Sequence, residues 1–182
     1  MNWLKKYMHA VEKTNIFLGK VMVFVLYMAV FVISFEVIMR YIFNMPTNWG
    51  HESMTLLFGI LYVTLGGYCL YYRAHVRVDV FWASRSERTR ALLDLCTSVF
   101  FFIFTITFTY KSWEFYWSSQ TMQGGGTLFG IVLPGEISFT DWAPPLFCVK
   151  FLMPMAGVLF VLQGVNWFIR DLHMVLTGRK MG

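Results

Sequence analysis

Four histidines, three cysteines and ten acidic residues are the side chains of this 182-residue chain that could hold a metal, move a proton or attack a substrate. Their spacing favours none of these. A haem in a membrane cytochrome is held by histidines inside the spans, whereas His9, His51, His75 and His173 lie at the ends of apolar runs or outside them. Cys69, Cys96 and Cys148 are far apart and form no CxxC pair, which argues against a disulfide framework or a zinc site. No nucleophile–base constellation and no phosphate-cradling glycine loop is found. The chain reads as a non-enzyme that needs no cofactor.

The remaining polar residues have positional meaning. Glu36 and Arg40 are four apart, acid first, the order that favours an ion pair on a helix. They read either as a local pair at the membrane interface or as a fixed charge pair at a subunit contact. Glu52 follows Trp49 and opens the next apolar run. It reads either as a carboxylate complementing a helix amino-terminal dipole or as a contact for a partner. The connection from Tyr41 to Gly50 is short, so Glu36, Arg40, Trp49 and Glu52 are expected in one cluster. His75 and Asp79 fall in a basic middle loop, where a solvated or headgroup role outweighs chemistry. Gln163 and Asn166, inside the last apolar run, read as interhelical hydrogen-bonding groups rather than substrate ligands.

The elements that must carry these residues are set by composition. The chain is 57% hydrophobic and only 14% charged, against roughly 45–50% apolar and about 25% charged in a soluble domain. Lipid must therefore solvate part of it. A spanning helix needs about 20 mostly apolar residues, and four stretches qualify, near 16–39, 52–72, 91–113 and 146–169. The first is too long for the apolar part of a signal peptide. The expected fold is an all-α membrane protein, one domain over residues 1–182, with four transmembrane helices in a bundle. Residues 1–15 place Trp3, Leu4, Tyr7, Met8 and Val11 at helical spacing among lysines, which predicts an amphipathic helix in the membrane interface. The longest connection, 117–145, holds three consecutive glycines and Pro134-Gly135, turn signals both.

Charge orients the bundle. Twelve of the fifteen Lys and Arg residues fall on the side shared by the amino terminus, the middle loop and the carboxyl terminus. By the positive-inside rule that side is cytoplasmic. Both termini are expected inside, with 117–145 periplasmic. The net charge of +5 thus reports topology, and no basic face with stacking residues points to nucleic acid.

Helices in lipid associate through small and polar residues. The second stretch shows such a face through Glu52, Thr55, Gly59, Tyr62 and Gly66. The third shows one through Asp94, Ser98, Thr105, Thr109 and Ser112, and the fourth through Lys150, Gly157 and Gly164. Gly59, Gly66, Gly157 and Gly164 are the expected packing seam, and Pro154 is expected to bend the fourth helix.

The run from Glu36 through Arg40, Tyr41, Phe43, Asn44 and Pro46 to Trp49 and Glu52, then Gly66-Gly67 and His75-Val-Arg-Val-Asp79, resembles the small membrane subunit of TRAP transporters, the DctQ-like family. The stretch from Pro144-Pro145 through Lys150 and Pro154 to Gln163-Gly164 is similar to a longer subgroup. The resemblance covers roughly residues 16–170. It implies a multi-pass protein of the bacterial inner membrane in a tripartite system. In such a system a periplasmic binding protein captures an organic acid and a large membrane subunit carries it inward, usually with sodium. The small subunit scaffolds the large one without catalysis. His75 and Asp79 belong to a cytoplasmic motif of that family. Two rival readings are the membrane anchor of a redox complex, which the histidine positions disfavour, and a stand-alone transporter. The latter needs a midplane site between broken helices, and only Pro154 offers a break.

Overall fold

A computed structural model describes residues 2–72, 74, 85–122, 125–128 and 131–178. Helix α1 is Asn2–Tyr41, α2 is Gly50–Tyr71, α3 is Glu87–Thr121 and α4 is Leu146–Thr177. Each is long and apolar enough to cross a membrane. Between α3 and α4, strands β1 (Gly125–Leu128) and β2 (Ile131–Pro134) pair antiparallel, Gly125 opposite Pro134 and Leu128 opposite Ile131. Among the described residues the regular elements are otherwise helices. His75 and Asp79 lie outside the described residues.

Helix α4 is the hub of the bundle. It packs along α3 and against α2, and α1 pairs with α2 while also touching α4. Much of what lies inside is small or polar: Ala29, Thr64, Gly67, Thr105, Ala156, Gly157, Gln163 and Asn166 are buried, beside a few larger apolar side chains such as Met22 and Leu61. What faces outward is large and apolar, including Phe24, Phe31, Phe100, Phe104 and Val158. This inverts the arrangement of a water-soluble bundle. It is the expected one in lipid, where apolar side chains gain nothing by meeting each other and close backbone approach supplies the attraction. Hydroxyls inside the helices return their protons to the preceding turn. Thr105 Oγ1 donates to Phe101 O at 2.9 Å and Thr109 Oγ1 to Thr105 O at 2.7 Å. The polar hydrogens of these two threonines are thereby kept from facing hydrocarbon.

Helix ends follow local chemistry. Ser86 Oγ accepts from Thr89 N at 3.4 Å and starts α3. Pro145 precedes α4, whose far end closes on Gly178 at φ +68°, its N–H donating to Met174 O at 2.9 Å. That left-handed position suits glycine. Pro154 sits inside α4 and is buried without ending the helix.

The helices outrun the apolar stretches. Residues 2–15 form no element of their own. They continue into the span as α1, whose 40 residues reach about 60 Å at 1.5 Å per residue. One side of this segment, Met8, Val11 and Asn15, is buried, and Asn166 Nδ2 of α4 donates to Met8 O at 3.3 Å. Helix α3 continues past the expected end near Trp113 to Thr121, with Lys111 paired to Glu114 at 2.7 Å along the helix. Hydropathy locates the membrane and says little about where a helix stops.

Candidate functional site

Three groups of polar residues tie the bundle together. The first lies where α1 turns into α2. Glu36 is only 4% exposed. It accepts from Arg40 Nη2 at 3.0 Å, from Thr47 N at 3.4 Å and from the Thr47 hydroxyl. Thr47 Oγ1 in turn accepts from Gly50 N at 3.1 Å, satisfying one of the free amides that open α2. Gly50 is required by this proximity: a Cβ there would lie 2.3 Å from Glu36 Oε2. Glu36 thus supplies negative charge at the amino-terminal end of α2, where the helix dipole favours it. Arg40 is half exposed beside it. Trp49 stacks on Phe35, centroids 5.8 Å apart. Glu52 sits apart from this pair and accepts from the hydroxyl of Thr140 in the α3–α4 connection. The four residues expected together therefore share one end of the bundle but are not one network: Glu36 and Arg40 join Thr47, Glu52 joins Thr140, and Trp49 stacks on Phe35.

The second group holds the connection after β2 to the same end. Glu136 N donates to Ser119 O at 2.9 Å, Leu146 N to Glu136 O at 3.0 Å and Ser138 N to Pro144 O at 3.0 Å. The Glu136 carboxylate pairs with Lys150 Nζ, both side chains largely buried. Lys150 Nζ also lies 4.1 Å from the Phe115 ring centroid. The Lys150 ammonium, with help from Ser119, holds the Glu136 carboxyl below its usual range. Thr140 then carries the loop across to Glu52 on α2.

The third group is at the opposite end, where α1, α2 and α4 meet. Asn15 Nδ2 donates to Gln163 Oε1 at 3.0 Å, and Trp167 Nε1 to Leu70 O at 3.1 Å. Arg170 pairs with Glu12 at 2.7 Å and lies 5.2 Å from the Trp167 ring centroid. Gln163 and Asn166 are fully buried.

Along the seam, a Cβ on Gly66 would meet the Phe160 ring at 2.2 Å, and one on Gly164 the Phe101 ring at 2.4 Å. A Cβ on Gly157 would meet Thr109 Oγ1 at 2.5 Å and Thr109 Cα at 3.1 Å. These three glycines lie at helix contacts; Gly59 faces open space. Two more glycines pack closely. Gly19 lies against Tyr68 and Gly67 against Asn15.

Thr47, Asn15, Gly19, Gly67 and the Glu12–Arg170 and Glu136–Lys150 pairs were not singled out as sites by the sequence. Thr47 carried a signal: a threonine after Pro46 and three before Gly50 marks a helix start. The ion pairs carried none, because their partners lie far apart in the chain.

All three groups join one helix to another or to a connecting loop, and the bundle they fasten turns an apolar surface outward. Such an arrangement holds helices in register and presents a face to lipid or to another membrane protein. The family model described as Tripartite ATP-independent periplasmic transporters, DctQ component, matches residues 28–174. The chain belongs to the DctQ family. As a DctQ component it is the small membrane subunit of a TRAP transporter and takes part in transport across a membrane. No curated protein matches the chain. The DctQ match includes Glu36, Lys150 and Gln163 and begins after the α1 segment that carries Glu12 and Asn15.

Proposed function

We propose that this chain is the non-catalytic scaffold of a tripartite transporter in a bacterial inner membrane. A periplasmic binding protein delivers an organic acid, and a large membrane subunit moves it inward with sodium while this chain holds that subunit in place. The observation that carries the reading is the inverted bundle. Buried polar side chains tie its helices and loops together, and many of its large apolar side chains face outward. This suits a chain whose surface is its working part. Four spans return the chain to the side where it began, so both termini share one compartment. Twelve of fifteen basic residues on that side favour the cytoplasm. The Glu36 and Glu136 networks then lie at the periplasmic end. The test is affinity purification of the tagged chain in mild detergent, with the bound proteins identified by mass spectrometry. A larger multispanning membrane protein in stoichiometric amount is expected. Recovery of the chain alone, or with a haem-bearing redox complex, contradicts the proposal.

A further inference from the structure

The junction of α1, α2 and α4 contains side chains whose hydrogen-bonding capacity is only half used. Gln163 and Asn166 are both 0% exposed, and they sit three residues apart on α4, hence on one face. Gln163 Oε1 accepts from Asn15 Nδ2 at 3.0 Å. Asn166 Nδ2 donates to Met8 O at 3.3 Å. A carbonyl can only accept, so this bond fixes which way the Asn166 amide faces and leaves its oxygen pointing the other way. Among the described residues neither Gln163 Nε2 nor Asn166 Oδ1 has a hydrogen-bond partner, and neither has Thr64 Oγ1, buried on α2. Thr64 is three residues from Gly67, the position whose missing Cβ lets Asn15 Oδ1 approach. Gly67 is also level with Leu159 on α4, which puts Thr64 one turn further from Asn166, so Gln163 and Asn166 share the junction and Thr64 lies beyond it.

The geometry points to a bound water molecule at this junction, bridging Gln163 Nε2 and Asn166 Oδ1. The match is one of donors and acceptors. Gln163 Nε2 needs an acceptor and Asn166 Oδ1 needs a donor. Water supplies both roles, and a buried water typically makes about three such bonds. A cation cannot accept from the Gln163 amide. The charge of Glu12, on the same stretch of α1, is balanced by Arg170 at 2.7 Å, although Glu12 Oε1 and Arg170 Nε make no hydrogen bond among the described residues. A partner's side chain cannot reach atoms that are fully enclosed. The site is independent of the chain's role in transport, since it rests on the packing of its own helices.

The test has two readouts on the complete transporter complex in lipid nanodiscs. In a cryo-EM map that resolves buried waters, a peak is expected within hydrogen-bonding distance of both Gln163 Nε2 and Asn166 Oδ1. A junction without a peak, or with the two amide atoms bonded to protein groups, overturns the assignment. X-ray radiolysis in H₂¹⁸O provides the second. Residues beside a bound water take up ¹⁸O even when buried, so Met8 should be labelled several-fold faster than Met22, which is buried to a similar degree about four turns along α1. The double variant Gln163→Leu, Asn166→Leu should bring Met8 down to the Met22 rate. Equal labelling of Met8 and Met22 in the parent overturns the assignment, as does a Met8 rate that the double variant leaves unchanged.

Discussion

Glu36 accepts from both a guanidinium and a threonine, and this ranks the residues around it. Arg40 is half exposed, so water can replace what it loses. Glu36 is enclosed and serves α1 and the start of α2 together. We therefore expect Glu36→Ala to lower the melting temperature of the purified complex most. Thr47→Val should come next, costing roughly 0.5–2 kcal/mol as a lost helix cap, and Arg40→Ala should cost least. Thermal unfolding followed by intrinsic fluorescence gives the order. An Arg40→Ala variant worse than Glu36→Ala contradicts it. The exchange Arg40→Glu with Glu52→Arg should rescue nothing, because Glu52 is engaged by Thr140. Much of this was legible from the i,i+4 spacing of Glu36 and Arg40. Thr47 as the shared partner was not, because its role depends on how the Tyr41–Gly50 connection folds back over α1.

Helix contacts in this bundle are set by a few glycines, and the seam divides on geometry. At Gly157 a new Cβ meets the backbone of α3, with Thr109 Cα at 3.1 Å, so neither helix can yield by rotating a side chain. Gly157→Ala should destabilise by about 1–3 kcal/mol, the usual cost of overpacking. Gly59→Ala meets nothing within 4 Å and should be neutral or stabilising by up to about 1 kcal/mol through helix propensity. Denaturation of the two variants in detergent separates them, and equal effects contradict the packing described here. The spacing of small residues marked the faces but could not tell Gly59 from Gly157, since alignment of neighbouring helices decides which glycine meets a backbone. The loop between β2 and α4 has its own dependence on pH. Lys150 holds the Glu136 carboxyl below its ordinary range, so the ion pair contributes fully above the unfolded value of about 4.3 and is lost as pH falls through the lowered one. Hydrogen exchange of the Glu136, Ser138 and Leu146 amides, corrected for intrinsic rate, should stay slow at pH 5. It should accelerate only below about pH 4. Protection unchanged down to pH 2 contradicts the anchoring role of this pair.

At the scale of the molecule, the number of spans and the charge asymmetry were legible because they follow from bulk hydropathy and from where fifteen basic residues fall. Which helix would be the hub was not. Helix α4 meets all three others, a matter of tertiary packing that no single stretch encodes, and the α1 extension past the membrane is held by contacts to α4 from the far end of the chain. A periplasm-dependent reporter fused after Gly125 should be active, and the same reporter after Ser84 or at the carboxyl terminus silent; swapped activities contradict the orientation. The central claim is that this chain supports transport without performing it, and uptake in proteoliposomes tests it most directly. Vesicles holding both membrane subunits, supplied with the binding protein and a sodium gradient, should accumulate labelled organic acid, while vesicles holding this chain alone should accumulate none. Uptake by this chain alone, or full uptake by the large subunit without it, contradicts the account.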